Sequence, residues 1–164
     1  MFLIQTYELH DYWGYQESGS HTFSSSDITF HKIYDLDGIG DCEITVKLKS
    51  ANTKGFGVDF RKYDDTSAMS YIRSCVANGA NNRVINVYYA DGSYYNSFPS
   101  PDVPYTANTD VACTIKRENN QLSAKVGNHS YTSNTFVSDL RYLGVMNWNN
   151  AKTVIWSDLI VKKL

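Results

Sequence analysis

The stretch L-R-Y-L-G-V-M-N-W-N-N-A-K-T-V-I-W-S-D-L-I-V-K-K-L, residues 140–164, decides the reading of the whole chain. Two β-rich runs, 141–147 and 153–162, flank the polar turn Asn147-Trp148-Asn149-Asn150. Val, Ile, Leu, Tyr and Trp favour extended backbone and asparagine favours turns, so the stretch predicts a hairpin. In the first run Leu140, Tyr142, Gly144, Met146 and Trp148 share one parity, and Arg141, Leu143, Val145 and Asn147 share the other. Both parities are largely apolar. The run is therefore expected to be covered on both faces, in the middle of a sheet.

Working back from that end, the cleanest alternation lies at 41–50. Cys42, Ile44, Val46 and Leu48 face one way, while Glu43, Thr45, Lys47 and Lys49 face the other, as in a half-buried antiparallel strand. The run 55–63 repeats the pattern, with Phe56, Val58 and Phe60 opposed to Gly57, Asp59 and Arg61. Further runs are expected at 3–9, 21–25, 27–34, 68–77, 83–90, 94–98, 110–117, 121–126 and 131–135, separated by Gly-, Asn-, Asp- and Ser-rich turns. The segment 11–20 reads as a turn-rich loop. All three prolines fall in 99–104, where a missing backbone donor points to a crossover between sheets. No window sustains a helical period. About a dozen short strands punctuated by turns predict an all-β fold, a two-sheet antiparallel β-sandwich, over 1–164 as a single domain.

The totals narrow the function classes. Hydrophobic residues at 42% and charged residues at 20% exclude a disordered chain. With a net charge of −2 and no basic run longer than Lys162-Lys163, the chain lacks the clustered cations that follow phosphates, so nucleic acid is not an expected partner. No apolar run approaches the ~20 residues of a membrane span, and Met1-Phe-Leu-Ile is too short for a signal-peptide core. Cys42, Cys75 and Cys113 each sit in a strand-like run, without close spacing, and are expected as buried free thiols.

Four segments carry a family resemblance: L-D-G-I-G-D-C-E-I-T-V-K-L-K (36–49), V-A-C-T-I-K-R-E-N-N-Q-L-S-A-K-V-G (111–127), R-Y-L-G-V (141–145) and V-I-W-S-D-L-I-V (154–161). They resemble strands and hairpins of the concanavalin A-like jelly roll, the fold of legume lectins, laminin-G modules and laminarinase-type glucanases. The resemblance implies a jelly-roll sandwich whose first and last strands pair or lie close. It also implies a setting such as a phage tail protein or microbial adhesin, on a virion or cell surface, within a larger protein.

The glucanase branch of that fold carries E-x-D-x-x-E on one strand, two carboxylates flanking the scissile bond. No such string occurs here, nor H-E-x-x-H, G-x-S-x-G or a Gly-rich phosphate loop, so the chain is not expected to be an enzyme. Asp35, Asp37 and Asp41 surround glycines in Asp35-Leu-Asp-Gly-Ile-Gly-Asp41. Carboxylates so spaced can wrap calcium, but three carboxylates in the wrong order read first as a tight entry to the following strand. No other cofactor is implied.

Aromatics supply the better lead. They make up 14% of the chain, with 13 Tyr against 7 Phe, and tyrosine tolerates a half-wet position. Sugar rings stack apolar C–H faces on Tyr and Trp while Asn, Asp and Arg bond their hydroxyls. The candidates are Trp13, Tyr15, Tyr89, Tyr94, Asn147, Trp148 and Asn149, with Trp156 assigned to the core. The expected function is a non-catalytic carbohydrate-binding or adhesion module for a cell-surface glycan. The alternative is a structural or assembly domain that contacts other protein chains and holds no small molecule.

Overall fold

The structure is a computed structural model that describes residues 6–8, 15–22, 29–30, 33–51, 55–64, 71–76, 84–88, 95–99, 105–133, 140–147 and 153–164. All regular structure among them is strand. In chain order the strands are β1 (Thr6–Glu8), β2 (Tyr15–Thr22), β3 (Thr29–Phe30), β4 (Ile33–Asp35), β5 (Cys42–Ser50), β6 (Phe56–Arg61), β7 (Tyr71–Val76), β8 (Val84–Tyr88), β9 (Tyr95–Pro99), β10 (Val111–Glu118), β11 (Gln121–Val126), β12 (His129–Ser133), β13 (Tyr142–Asn147) and β14 (Thr153–Lys163).

They form two sheets. One runs β1-β4-β13-β6-β7-β8-β9, with β3 also paired to β13, and the other runs β12-β11-β10-β5-β14-β2. Every described pairing is antiparallel except β1 with β4, which is parallel. Alternation decides what lies between the sheets. Cys42, Ile44, Val46 and Leu48 of β5 meet Phe56, Val58 and Phe60 of β6, Ile72 and Val76 of β7, and Leu143 and Val145 of β13 in one buried core. Fully burying each large apolar side chain stabilises the fold by about 1.5–3 kcal/mol. Ser74 Oγ reaches across and donates to the Lys125 carbonyl at 2.7 Å. The opposite face of β5 stays wet, as its Lys47 shows.

β13 sits inside its sheet, between β4 and β6, and is buried along nearly its whole length. That matches the doubly apolar pattern. The expected hairpin is corrected, however. β13 belongs to the eight-stranded sheet and β14 to the six-stranded one, so the chain changes sheet between Asn147 and Thr153. Apolar parity marks a strand as interior without naming its neighbour.

The segment 11–20, read as a loop, contributes most of β2, an eight-residue edge strand on β14. Backbone pairing to an eleven-residue neighbour needs no apolar side chains. What it does need is Gly19. Trp156, buried at 2% exposure, lies over that residue, and a Cβ there would come within 2.7 Å of the indole Cζ2. β14 bulges between Trp156 and Leu159, with Asp158 at φ 53° donating its backbone N–H to Ser18 Oγ at 3.0 Å. The last strand therefore pairs with β2 and β5, and β1 pairs with β4 in the other sheet, so the first and last strands do not pair with each other.

All three cysteines are buried and free, as expected. No described helix is long and apolar enough to cross a membrane.

Candidate functional site

Strand ends from both sheets converge at one pole. There β6 ends and runs into Lys62, Tyr63 and Asp64, β13 begins at Tyr142, and β10 ends near Arg117. The turn before β5 closes the same pole. Leu36 and Ile39 of that turn are buried and pin it to the core, leaving Asp37, Gly38 and Gly40 exposed. The Asp37 N–H donates to Asp35 Oδ1 at 3.1 Å and the Ile39 N–H to the Leu36 carbonyl at 3.1 Å. Gly38 and Gly40 have φ of 71° and 67°, the left-handed region that such a turn assigns to glycine. Between these pieces opens a cleft of about 620 Å³.

Its walls combine rings with charges. Tyr63 is 44% exposed, with the Lys62 ammonium 5.5 Å from its ring centre. Tyr142 is half-buried, with the Arg141 guanidinium 5.2 Å over its ring. Arg141 donates from Nε to Asp35 Oδ1 at 2.6 Å and from Nη2 to Oδ2 at 2.7 Å, a two-pronged ion pair, and its Nη1 lies 3.6 Å from Asp37 Oδ1. The Asp35 hydrogen bond raises the Arg141 pKa, outweighing its partial desolvation. Partial burial pushes the Tyr142 hydroxyl up. Arg141 pulls it back in part, while Asp35, Asp64 and Asp37 add to the rise, so the phenol stays neutral at physiological pH. Half-wet rings beside carboxylates and fixed cations can stack on a sugar face and bond its hydroxyls. Sequence reasoning overlooked Tyr63, Arg141 and Tyr142. The legible signal for Tyr63 was a tyrosine inside the polar turn Lys62-Tyr63-Asp64-Asp65.

A second charged group lies on the face of β6 and β7 turned away from the core. Asp59 accepts from Arg73 Nε at 2.6 Å, Arg73 Nη2 at 2.8 Å and Arg61 Nη1 at 2.8 Å. Both guanidiniums lie 4.5 Å from the Tyr71 ring. Burial works to lower the Arg73 pKa, but the attraction and hydrogen bonds of Asp59 more than reverse it. All four side chains are buried. Alternation on β6 was expected to leave this face wet. Instead its charged side chains are buried in an ion cluster around Asp59.

Of the residues expected to bind a ligand, Trp13, Tyr89, Tyr94, Trp148 and Asn149 lie outside the described residues. Tyr15 opens β2 opposite Val161. Asn147 is corrected. It ends β13 paired with Phe56, whose side chain is in the core, and is 0% exposed, out of reach of a dissolved ligand. The acidic turn is corrected as a calcium loop. Arg141 occupies Asp35 and approaches Asp37, whereas Asp41 accepts the Asn119 N–H at 3.2 Å. Among the described residues no group of three or more His, Cys, Asp or Glu could hold a metal.

Register sorts the remaining candidates. Glu8 pairs with Asp35, Tyr88 with Tyr95, and Tyr15 with Val161 next to Ile44, all at the cleft's pole. Asn147, Phe56 and Val76 mark the opposite pole.

No protein-family model and no curated protein sequence matches the chain. Solved structures do. The carbohydrate-binding module CBM66 of Bacillus subtilis is 9% identical, with a TM-score of 0.61 over 98% of this chain and 99% of that one. The exoplasmic/lumenal domain of VIP36, solved with Ca2+ and Man3GlcNAc bound, is 10% identical, with a TM-score of 0.62 over 91% of this chain and 86% of that one. Alginate lyase A1-II' is 9% identical, with a TM-score of 0.59 over 95% of this chain and 85% of that one. Likeness at such identities is one of fold, and the fold is the concanavalin A-like jelly-roll sandwich.

Proposed function

We propose that this protein is a non-catalytic carbohydrate-binding module that takes a glycan in the cleft between Tyr63 and Tyr142. The observation that carries the reading is the cleft itself. Two partly exposed tyrosine rings stand in one opening with Asp37, Asp64, Lys62 and Arg141, the pairing of stacking surface and hydroxyl partners that a sugar needs. The fold adds support, since a carbohydrate-binding module and a glycan-bound lumenal domain share it. Trp13, Tyr15, Tyr89, Tyr94, Trp148 and Asn149 stay candidates for further contact with the glycan. Binding needs no metal, because Arg141 already neutralises Asp35. The module acts outside the cytoplasm, where glycans are displayed.

A glycan array on the whole chain, with and without chelator, tests this. Binding is expected to survive chelation and to weaken roughly 2- to 12-fold in Tyr63→Ala and in Tyr142→Ala, the range of one aromatic contact. Absence of binding at millimolar glycan, or unchanged binding by both variants, refutes it. Release of new sugar ends from a bound polysaccharide would assign Asp37 and Asp64 to hydrolysis instead.

A further inference from the structure

We infer that Asp35 is a positioning residue of the cleft, acting on a bound glycan through Arg141 and the turn 36–40 without touching the glycan itself. The inference rests on the reading of the cleft as a glycan site and adds what holds that site in shape. Asp35 ends β4, is 5% exposed and stands outside the lining of the opening. Its carboxylate nevertheless holds two of the walls at once. Oδ1 accepts from Arg141 Nε at 2.6 Å and from the Asp37 N–H at 3.1 Å, and Oδ2 accepts from Arg141 Nη2 at 2.7 Å. The backbone of Arg141 is tied on both sides as well. Its N–H donates to the Arg61 carbonyl at 2.7 Å, and its own carbonyl accepts the Leu36 N–H at 2.7 Å.

Both walls need such a tie. Asp37, Gly38 and Gly40 are exposed lining, and the two glycines at positive φ have the most backbone freedom to lose. Burial of Leu36 and Ile39 anchors the turn from below, and the Asp35 carboxylate holds the Asp37 N–H at its exposed edge. Arg141 is a long, partly exposed side chain, and the two-pronged bond to Asp35 fixes its guanidinium 5.2 Å over the Tyr142 ring. Cation, ring and turn are thus ordered before a sugar arrives, so binding does not have to order them. Immobilising one such side chain in advance strengthens binding by about 2- to 12-fold.

The test is calorimetric titration of the full chain with gluco-, manno-, fructo- and mannurono-oligosaccharides, together with amide hydrogen exchange. Asp35→Ala is expected to weaken binding about 2- to 12-fold. It should also speed exchange at Asp37 and Ile39 while leaving β5 and β13 protected. Arg141→Gln is expected to weaken binding as well, and the double variant to bind within about twofold of the weaker single one, because Arg141 contributes through Asp35. Should Asp35→Ala fail to fold, Arg141→Lys decides: it keeps the charge, loses the fork, and is expected to bind as weakly as Arg141→Gln. Unchanged affinity or unchanged turn exchange in Asp35→Ala overturns the positioning role and leaves the glycan site standing. So do losses that simply add in the double variant, or full binding by Arg141→Lys. Failure of the parent chain to bind any of the series overturns both.

Discussion

Replacing Asp59 by Asn removes one negative charge from the middle of β6 while keeping its shape. Asp59 is 0% exposed, and Arg61 and Arg73 are 1% and 4% exposed. The carboxylate accepts three hydrogen bonds from these two guanidiniums, which flank Tyr71 at 4.5 Å each. Without its charge, the two cations keep their desolvation penalty and face each other across one ring. Breaking a buried pair in this way costs about 3–5 kcal/mol. For a chain of this length the unfolding entropy is about 0.34 kcal/mol/K, so the melting temperature should fall by roughly 9–15 °C. Urea unfolding followed by tryptophan fluorescence measures the loss directly. A second variant, Asp59→Leu with Arg61→Leu and Arg73→Met, removes all three charges and should cost less than Asp59→Asn despite changing more atoms. A loss under about 1 kcal/mol in Asp59→Asn, or a triple variant worse than the single, refutes the account of a buried ion cluster centred on Asp59.

Gly57→Ala should destabilise the protein by about 2–3 kcal/mol, because β6 and β7 approach too closely there for a side chain. The new Cβ would sit 2.6 Å from the Ser74 carbonyl oxygen and 2.7 Å from Cys75 Cα, against Cys75 Cβ, and backbone cannot swing aside. A urea midpoint no lower than that of the parent refutes this. Burial pushes the Cys42 thiol up from 9.0 to about 12, with Arg117 lowering it and Asp41 raising it to smaller extents. The unfolded chain thus loses this proton first. The thiol's contribution is complete below pH 9.0 and fades as pH climbs towards about 12. Stability measured from about pH 8 to about pH 11 should fall with a slope of up to ~1.4 kcal/mol per pH unit that Cys42→Ala removes. An identical slope in both proteins refutes it.

Some of the fold was legible residue by residue. Strict alternation at Cys42 to Ser50 gave β5 with its inward set correct, and the doubly apolar run at Tyr142 to Asn147 gave an interior strand. Trp156 was assigned correctly to the core. β2 was not legible, since Ser, Gly, Gln and His carry no apolar period and the strand exists through its pairing with β14. Asn147 read as a turn residue because asparagine favours turns, yet pairing with Phe56 turns it inward. The acidic turn showed its spacing but not Arg141, just before β13, which neutralises it from 106 residues away.

What the residues determined by themselves was the local geometry: period-two burial makes strands, glycine at positive φ makes the turn before β5, and isolated cysteines become buried thiols. Which strands became neighbours was decided only in three dimensions. A strand's side chains specify which face is dry, but its edge is a row of identical N–H and C=O groups that accepts any partner of matching length and register. The parting of β13 from β14, the Asp59 cluster and the cleft between Tyr63 and Tyr142 all follow from that choice of neighbours, which pattern alone cannot make.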